Sequence, residues 1–401
     1  MFNFDKMIER RGSGCVKWDS AHDDDVLPLW VADMDFEAAP CIQRAIRQRA
    51  EHGIFGYTQV TEEYYNAVIH WFSQRHGWTI QRESILYTIG VVPAIACCLK
   101  AMTLPGEKVL LTTPVYNCFF SCVRNCGCEA LESPLLINNE GKYVFDWEDF
   151  ETKCADDKTT AYILCNPQNP GGRVWTADEL KKISEICSRH HVWIISDEIH
   201  NELVMPDYQY TPYATVCKDQ THFVTCISAS KSFNIAGLQM ANIVCKDQVM
   251  RLRIDRAINI NEVCDVNPFA PVAAVAAYSE EGAEWINELN KYIQGNFLFL
   301  KSSLATFSSS FEESRKEVLP LMPIEGTYLA WVDCSSLCKK LGINSEQLEE
   351  RLIQEAKVYF NAGAHYGKAG ENYLRINLAC PRSILEEAVK RFLQFVETYL
   401  S

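Results

Sequence analysis

The chain is expected to be an α/β protein, with a large unit built on a mostly parallel sheet flanked by helices. A smaller α+β unit is expected to follow in the C-terminal third of its 401 residues. Three observations predict this. Short apolar runs alternate with longer amphipathic ones as far as residue 245, the alternation stops past residue 270, and successive apolar runs end in polar or glycine-rich groups.

In chain order, ILYTI (85–89) precedes a helical pattern from Val92 to Ala101, and KVLLT (108–112) precedes one starting near Asn117. TAYILC (160–165) leads through a Pro/Gly turn into a helix over 177–191. VWIIS (192–196), HFVTCI (222–227) and ANIVC (241–245) complete the series. Strand alternating with helix implies βαβ units and a sheet buried on both faces. Residues 268–307 then read as one long helical stretch. Strand-like YLAWVD (328–333) and YLRINLA (373–379) follow, with helices over 346–356 and from Leu385. The expected division is an N-terminal segment (1–45) packing with the small unit, a large unit (46–275) and a small one (276–401).

The 38 basic and 52 acidic residues give a net charge of −14, which argues against a nucleic-acid or anionic-membrane surface. No run approaches the roughly 18 apolar residues of a membrane span. The first residues, MFNFDKMIERRGSG, lack the apolar core of a signal peptide. Eighteen cysteines, many inside apolar runs, fit a reducing cytoplasm in which cysteine serves as a small hydrophobe. Cys118, Cys122, Cys126 and Cys128 crowd together, but no second ligand group at zinc-site spacing answers them, and no metal is expected.

In open α/β sheets ligands bind outside the carboxyl ends of the strands. Four apolar runs end there in turn in Gly90-Val91-Val92, in NPQNPGG (166–172), in Asp197-Glu198-Ile199-His200, and in Ser228-Ala229-Ser230-Lys231. Singly, each has a plain reading as a cap, a loop or a turn. Together they answer the needs of pyridoxal phosphate. The aldehyde needs a lysine for a Schiff base, which Lys231 supplies. The ring nitrogen needs a carboxylate, Asp197, and the ring oxygen a donor, Asn169. The phosphate needs hydroxyls and free N–H groups, offered by Ser228, Ser230 and the helix opening at Val91–Val92.

From Trp30 to the C-terminus the chain resembles the fold-type I pyridoxal-phosphate enzymes of the class I/II aminotransferase superfamily. Within them it is most similar to the cystathionine β-lyase or C–S lyase subgroup. The stretches that carry the likeness are LWVADMDF (29–36), GYT (56–58), GVVPAI (90–95), PVYNCF (114–119) and SDEIHNELV (196–204). SKSFNIAGLQ (230–239), EGTYLAWVD (325–333) and LRINLACPR (374–382) continue it. The resemblance implies that Lys231 is the Schiff-base lysine and proton shuttle, that Asp197 and Asn169 hold the ring, and that Tyr116 stacks near it. Arg375 would clamp the substrate carboxylate, with Asn169 and Trp30 at the same pocket. Tyr57 would reach the neighbouring subunit's cofactor phosphate, which implies a homodimer with shared sites.

Two positions depart from the general aminotransferase pattern. His200 stands where a tyrosine usually meets the ring oxygen, and Gln239 where a phosphate-binding arginine is frequent. Both favour the lyase branch. The resemblance thus implies α,β-elimination from cystathionine, cysteine or cysteine S-conjugates to pyruvate, ammonia and a thiol; the alternative is an aminotransferase of L-amino acids. Asp33 and Asp35 are read either as shaping the substrate's path or as turn and cap residues. Tyr328 is a pocket or core aromatic, His365 and Tyr366 are loop candidates for substrate contact, and His190-His191 are helix C-terminal residues.

Overall fold

In the computed structural model, which describes residues 2–21, 23–217, 221–309 and 318–400, seven strands form one sheet. They are β1 (Ile85–Thr88), β2 (Lys108–Thr113), β3 (Glu129–Pro134), β4 (Thr159–Cys165), β5 (Trp193–Asp197), β6 (Phe223–Ile227) and β7 (Ala241–Val244). Their order across the sheet is β1-β7-β6-β5-β4-β2-β3. From β6 to β3 every pairing is parallel, whereas β7 runs antiparallel to both β1 and β6. Every strand except β7 therefore ends on the same edge of the sheet.

Consecutive side chains of a strand point to opposite faces, and here both faces are buried. Val109 and Leu111 of β2, Ile163 of β4 and Ile195 of β5 belong to one apolar cluster, with the helices Val91–Met102 and Gln248–Ile260. Leu110, Tyr162, Leu164 and Ile194 belong to the other, with Ala177–Arg189. Two of the crowded cysteines pack between helices: Cys122 of helix Asn117–Asn125 and Cys126 at its C-terminal cap lie against the carbonyls of Val92 and Ala96 at 3.7 Å. β3 is the strand that periodicity does not reveal. EALESP has two carboxylates and no β-branched residue, and it is tolerated because an edge strand has a neighbour on one side alone.

The stretch 268–307 is two helices, Ala270–Ala277 and Glu280–Ser309, where one was expected. Ser279 breaks the run by capping the second helix, its hydroxyl accepting the Gly282 N–H at 3.2 Å. The chain passes so closely that a β-carbon at Gly282 would lie 1.9 Å from the Ala277 carbonyl oxygen. The expected helix over 346–356 likewise divides into Ser345–Arg351, opened by an Asn344–Gln347 capping box, and a π-helical turn Leu352–Ala356. A second sheet joins β8 (Leu329–Asp333), β10 (Tyr373–Asn377) and β9 (Asn361–Ala362), in that order and antiparallel throughout. Near the N-terminus Leu27–Pro28 pairs in parallel with Val358–Tyr359, which carries residues 29–36 between the two sheets.

Candidate active site

The shared edge of the large sheet gathers the polar groups. β5 ends in Asp197, which is 3% exposed and accepts the Ile199 N–H at 3.1 Å. Burial pushes its carboxyl up to about 7 against the pull of that N–H and of Lys231. β6 leads into Ser228, Ser230 and Lys231. The Lys231 amine donates to the Ala32 carbonyl at 2.6 Å, and burial, aided by the Arg375 charge, pushes its ammonium down to about 8. That leaves roughly a tenth of the amine neutral at pH 7, against less than about a thousandth for an ordinary lysine, and the neutral form is what a nucleophile or base requires.

β4 continues into the loop of Asn169, whose side-chain carbonyl accepts from Arg375 at 3.1 Å. Arg375 lies on β10 and is 4% exposed; it also donates to the Trp30 carbonyl at 2.8 Å and stacks on the Tyr366 ring at 4.8 Å. Among the described residues its Nε finds no partner, and neither does Nδ1 of buried His200, whose imidazole burial and the Lys231 and Arg375 charges push down to about 3. His200 is thus a neutral acceptor or donor beside two cations. Tyr116, at the mouth of helix Asn117–Asn125, is half-buried, and burial raises its phenol, so its ring is neutral.

At the end of β1 the helix Val91–Met102 opens at Gly90 with no side-chain cap, leaving its first N–H groups for a ligand. Ser228 is committed internally: its hydroxyl donates to the Met240 carbonyl at 2.6 Å and lies 2.9 Å from Ser230 Oγ. The Ser230 hydroxyl is the freer of the two. Gln239 is exposed in a left-handed conformation (φ 54°), and its backbone carbonyl accepts from Tyr87 at 3.4 Å. Tyr57 is fully exposed at 103% and touches none of these groups within the chain. Trp30 is half-buried, stacked on Tyr359 at 5.0 Å, and meets Arg375 through its carbonyl alone.

Sequence reasoning missed the strap 30–36 as a source of backbone acceptors. It also missed the asparagines that hold it, Asn234 and Asn377, which bond to Met34 and Phe36 and to Val31 and Asp33 respectively. No local signal marks them, because a carbonyl acceptor has no residue signature. Asp35 is neither a turn residue nor a substrate group: it is buried among Arg10, Lys17 and Trp18. Of the loop pair, Tyr366 lies under Arg375 and His365 is exposed. His190 caps its helix beside Glu151 at 3.5 Å.

These residues fit the expected cofactor. The Lys231 amine and the buried Asp197 carboxyl lie near enough to feel each other's charge but do not bond to each other, and the shift of each towards its neutral form shows that burial outweighs that attraction. A ring nitrogen that shares a proton with Asp197 and an aldehyde bonded to Lys231 would relieve both.

Residues 24–392 match the family model for aminotransferase class I and II. The chain belongs to that family. Among its class I/II relatives, cystathionine beta-lyase PatB of Bacillus subtilis is 39% identical over 394 residues, spanning 97% of this chain and 98% of that protein. Among solved structures, a PLP-bound putative aminotransferase from Clostridium difficile 630 superposes with a TM-score of 0.92 at 38% identity, covering 99% and 100% of the two chains. A PLP-bound C-S lyase from Staphylococcus hominis gives 0.92 at 31% identity over the whole of both chains. The α/β architecture with a mostly parallel sheet is that of these class I/II structures.

Proposed function

We propose that this protein is a pyridoxal-phosphate-dependent carbon–sulfur β-lyase. It converts cystathionine, cysteine or cysteine S-conjugates to pyruvate, ammonia and a thiol. The observation that carries the cofactor chemistry is the pairing of Lys231 with buried Asp197 where two adjacent strands end, with the Arg375 charge acting on the same amine. The lyase branch is supported by the likeness to PatB along 97% of the chain and by the likeness to the C-S lyase.

Lys231, Asp197, Asn169 and His200 would hold the ring; Val91, Val92 and Ser230 would receive the phosphate, with Ser228 holding Ser230 in place; Tyr116 lies beside them. Bound there, the cofactor supplies an electron sink that makes the substrate's Cα proton removable. Arg375 binds the α-carboxylate through its fork, with Asn169 and Trp30 fixing its direction. The neutral Lys231 amine takes the Cα proton and returns one to the departing sulfur. Asp197 holds a proton at the ring nitrogen, and its low-dielectric surroundings strengthen that contact. Water completes release of ammonia and pyruvate. Residues 46–275 form the cofactor-holding unit, and residues 276–401 with the 1–45 segment form the substrate-clamping one.

The protein works as a homodimer. Ile54, Phe55 and Tyr57 project from a segment tied to the main body at Thr58–Val266, which suits a patch covered by a second copy. Cysteine usage supports a cytoplasmic location; among the described residues no helix is long and apolar enough to cross a membrane.

Incubating the holoenzyme with cystathionine tests the reading. Pyruvate, ammonia and free thiol should form without added keto acid, and Lys231→Ala should lower turnover at least about 100-fold, the lower range of one acid–base step. Strict dependence on a keto acid would make the protein an aminotransferase.

A further inference from the structure

The strap 30–36 touches both halves of the chemistry. Its Ala32 carbonyl holds the Lys231 amine at 2.6 Å, and its Trp30 carbonyl holds the Arg375 fork at 2.8 Å. The ends are tied to both sheets. Asn234, three residues past Lys231, brackets Met34 and Phe36 at 2.8 to 3.2 Å. Asn377, two residues past Arg375, donates to Val31 and Asp33 at 2.7 Å each.

Behind the strap lies a cluster of charges from the first 18 residues, remote from those reacting groups in sequence. Arg10 reaches Asp35 at 2.7 Å, Asp33 at 2.8 Å and the Met34 carbonyl at 2.9 Å. Lys17, with no exposure at all, pairs with Asp35 at 2.7 Å and donates to the Asp33 carbonyl at 3.0 Å, while Trp18 Nε1 donates to Asp35 at 2.8 Å. Every polar atom named in this cluster has a partner. A buried ion cluster adds little stability over an apolar one of the same shape, because desolvation offsets the attraction. What it adds is direction: three donors converge on one carboxylate, and two of them also seize strap carbonyls.

We propose that Arg10, Lys17 and Asp35 are positioning residues for the reaction, clamping the strap from behind so that its Ala32 and Trp30 carbonyls aim the Lys231 amine and the Arg375 fork. The inference rests on the roles given above to Lys231 and Arg375. The cluster itself touches neither substrate nor cofactor. Loosening it frees the strap, so the amine loses its orienting acceptor and kcat falls, while Arg375 loses one of its two hydrogen-bonded supports and KM rises.

Arg10 is the place to test this, since its side chain lies at the rim of the cluster, one fifth exposed. For Arg10→Gln, amide hydrogen exchange of the cofactor-free protein should speed up at least about tenfold in residues 30–36, and kcat should fall and KM rise by roughly threefold to tenfold each. Arg10→Lys, which keeps the charge but not the fork, should recover part of both effects; it carries the test if the glutamine variant does not fold. Three results would each overturn the proposal: a lower melting temperature with kcat and KM unchanged, faster exchange in 30–36 without a kinetic effect, or a kinetic effect without faster exchange there. Lys231→Ala, measured alongside, keeps the two readings apart. If it retains full turnover, the site assignment itself fails; if it is inactive while Arg10→Gln behaves as wild type, the clamp alone fails.

Discussion

Asp197 and Lys231 are each held in a state that the bare chain pays for in stability and the reaction uses. The Asp197 carboxyl titrates near 7 in the fold against an ordinary 3.8, so between those values the folded chain binds more protons than the unfolded one. Its destabilising contribution is therefore absent below about pH 4, builds up to pH 7, and is constant above, at a few kcal/mol. Asp197→Asn, an isostere that cannot ionise, should stabilise the cofactor-free protein by that amount at pH 8 and not at all below pH 4. The same variant should reduce turnover at least about 100-fold, since the amide cannot hold the ring nitrogen's charge. Denaturant unfolding at several pH values checks the first part; a stability difference that is flat with pH would contradict the buried, raised carboxyl. Lys231 works in the opposite sense. Its ammonium is depressed to about 8 from 10.5, so the cofactor-free fold gains stability as pH rises between those values.

Secondary structure puts these groups where they are by ending on one edge. Helix Ala177–Arg189 links the Asn169 loop to β5, and it is opened by a reciprocal capping box: Thr176 accepts the Glu179 N–H at 3.2 Å while Glu179 accepts the Thr176 N–H at 2.8 Å. Thr176 is exposed and away from the site. Thr176→Ala should cost about 1 kcal/mol of stability and leave kcat and KM unchanged. A loss of activity without loss of stability would mean that this helix does more than carry the chain back across the sheet. The helix Val91–Met102 differs in having no side-chain cap, and that open end is what suits it to an anion.

At the scale of the whole molecule the proposed dimer rests on the face around residues 53–58. Phe55, half exposed, rests on Phe269 at 5.6 Å, Ile54 beside it is 67% exposed, and Tyr57 extends fully into solvent. Covering these side chains by a second copy would bury apolar surface at roughly 25 cal/mol per Å². On the proposed dimer, in which Tyr57 of one copy would complete the other's phosphate site, Phe55→Asp should shift the holoenzyme from two-chain to one-chain mass in sedimentation and weaken cofactor retention. A variant that remained dimeric with full cofactor occupancy would move the interface elsewhere.

Much of this was legible in the residues alone. The alternation of apolar runs and helical patterns, and the polar groups that close each run, are local properties of the chain. They suffice to predict a mostly parallel sheet with a lysine and a carboxylate in play, whereas Arg375 is found through the resemblance to the family alone. Other features arise from contacts between segments far apart. β3 is accepted as a strand because an edge demands little of it; the long helix divides at Ser279 because the chain must turn beside Ala277; and β7 reverses inside a sheet whose remaining strands are aligned. The strap is the clearest case. Its contribution to the site is two backbone carbonyls, and every residue has one, so no letter of the sequence distinguishes Ala32 or Trp30. What selects them is their placement, set by Asn234 and Asn377 in front and by Arg10, Lys17 and Asp35 behind.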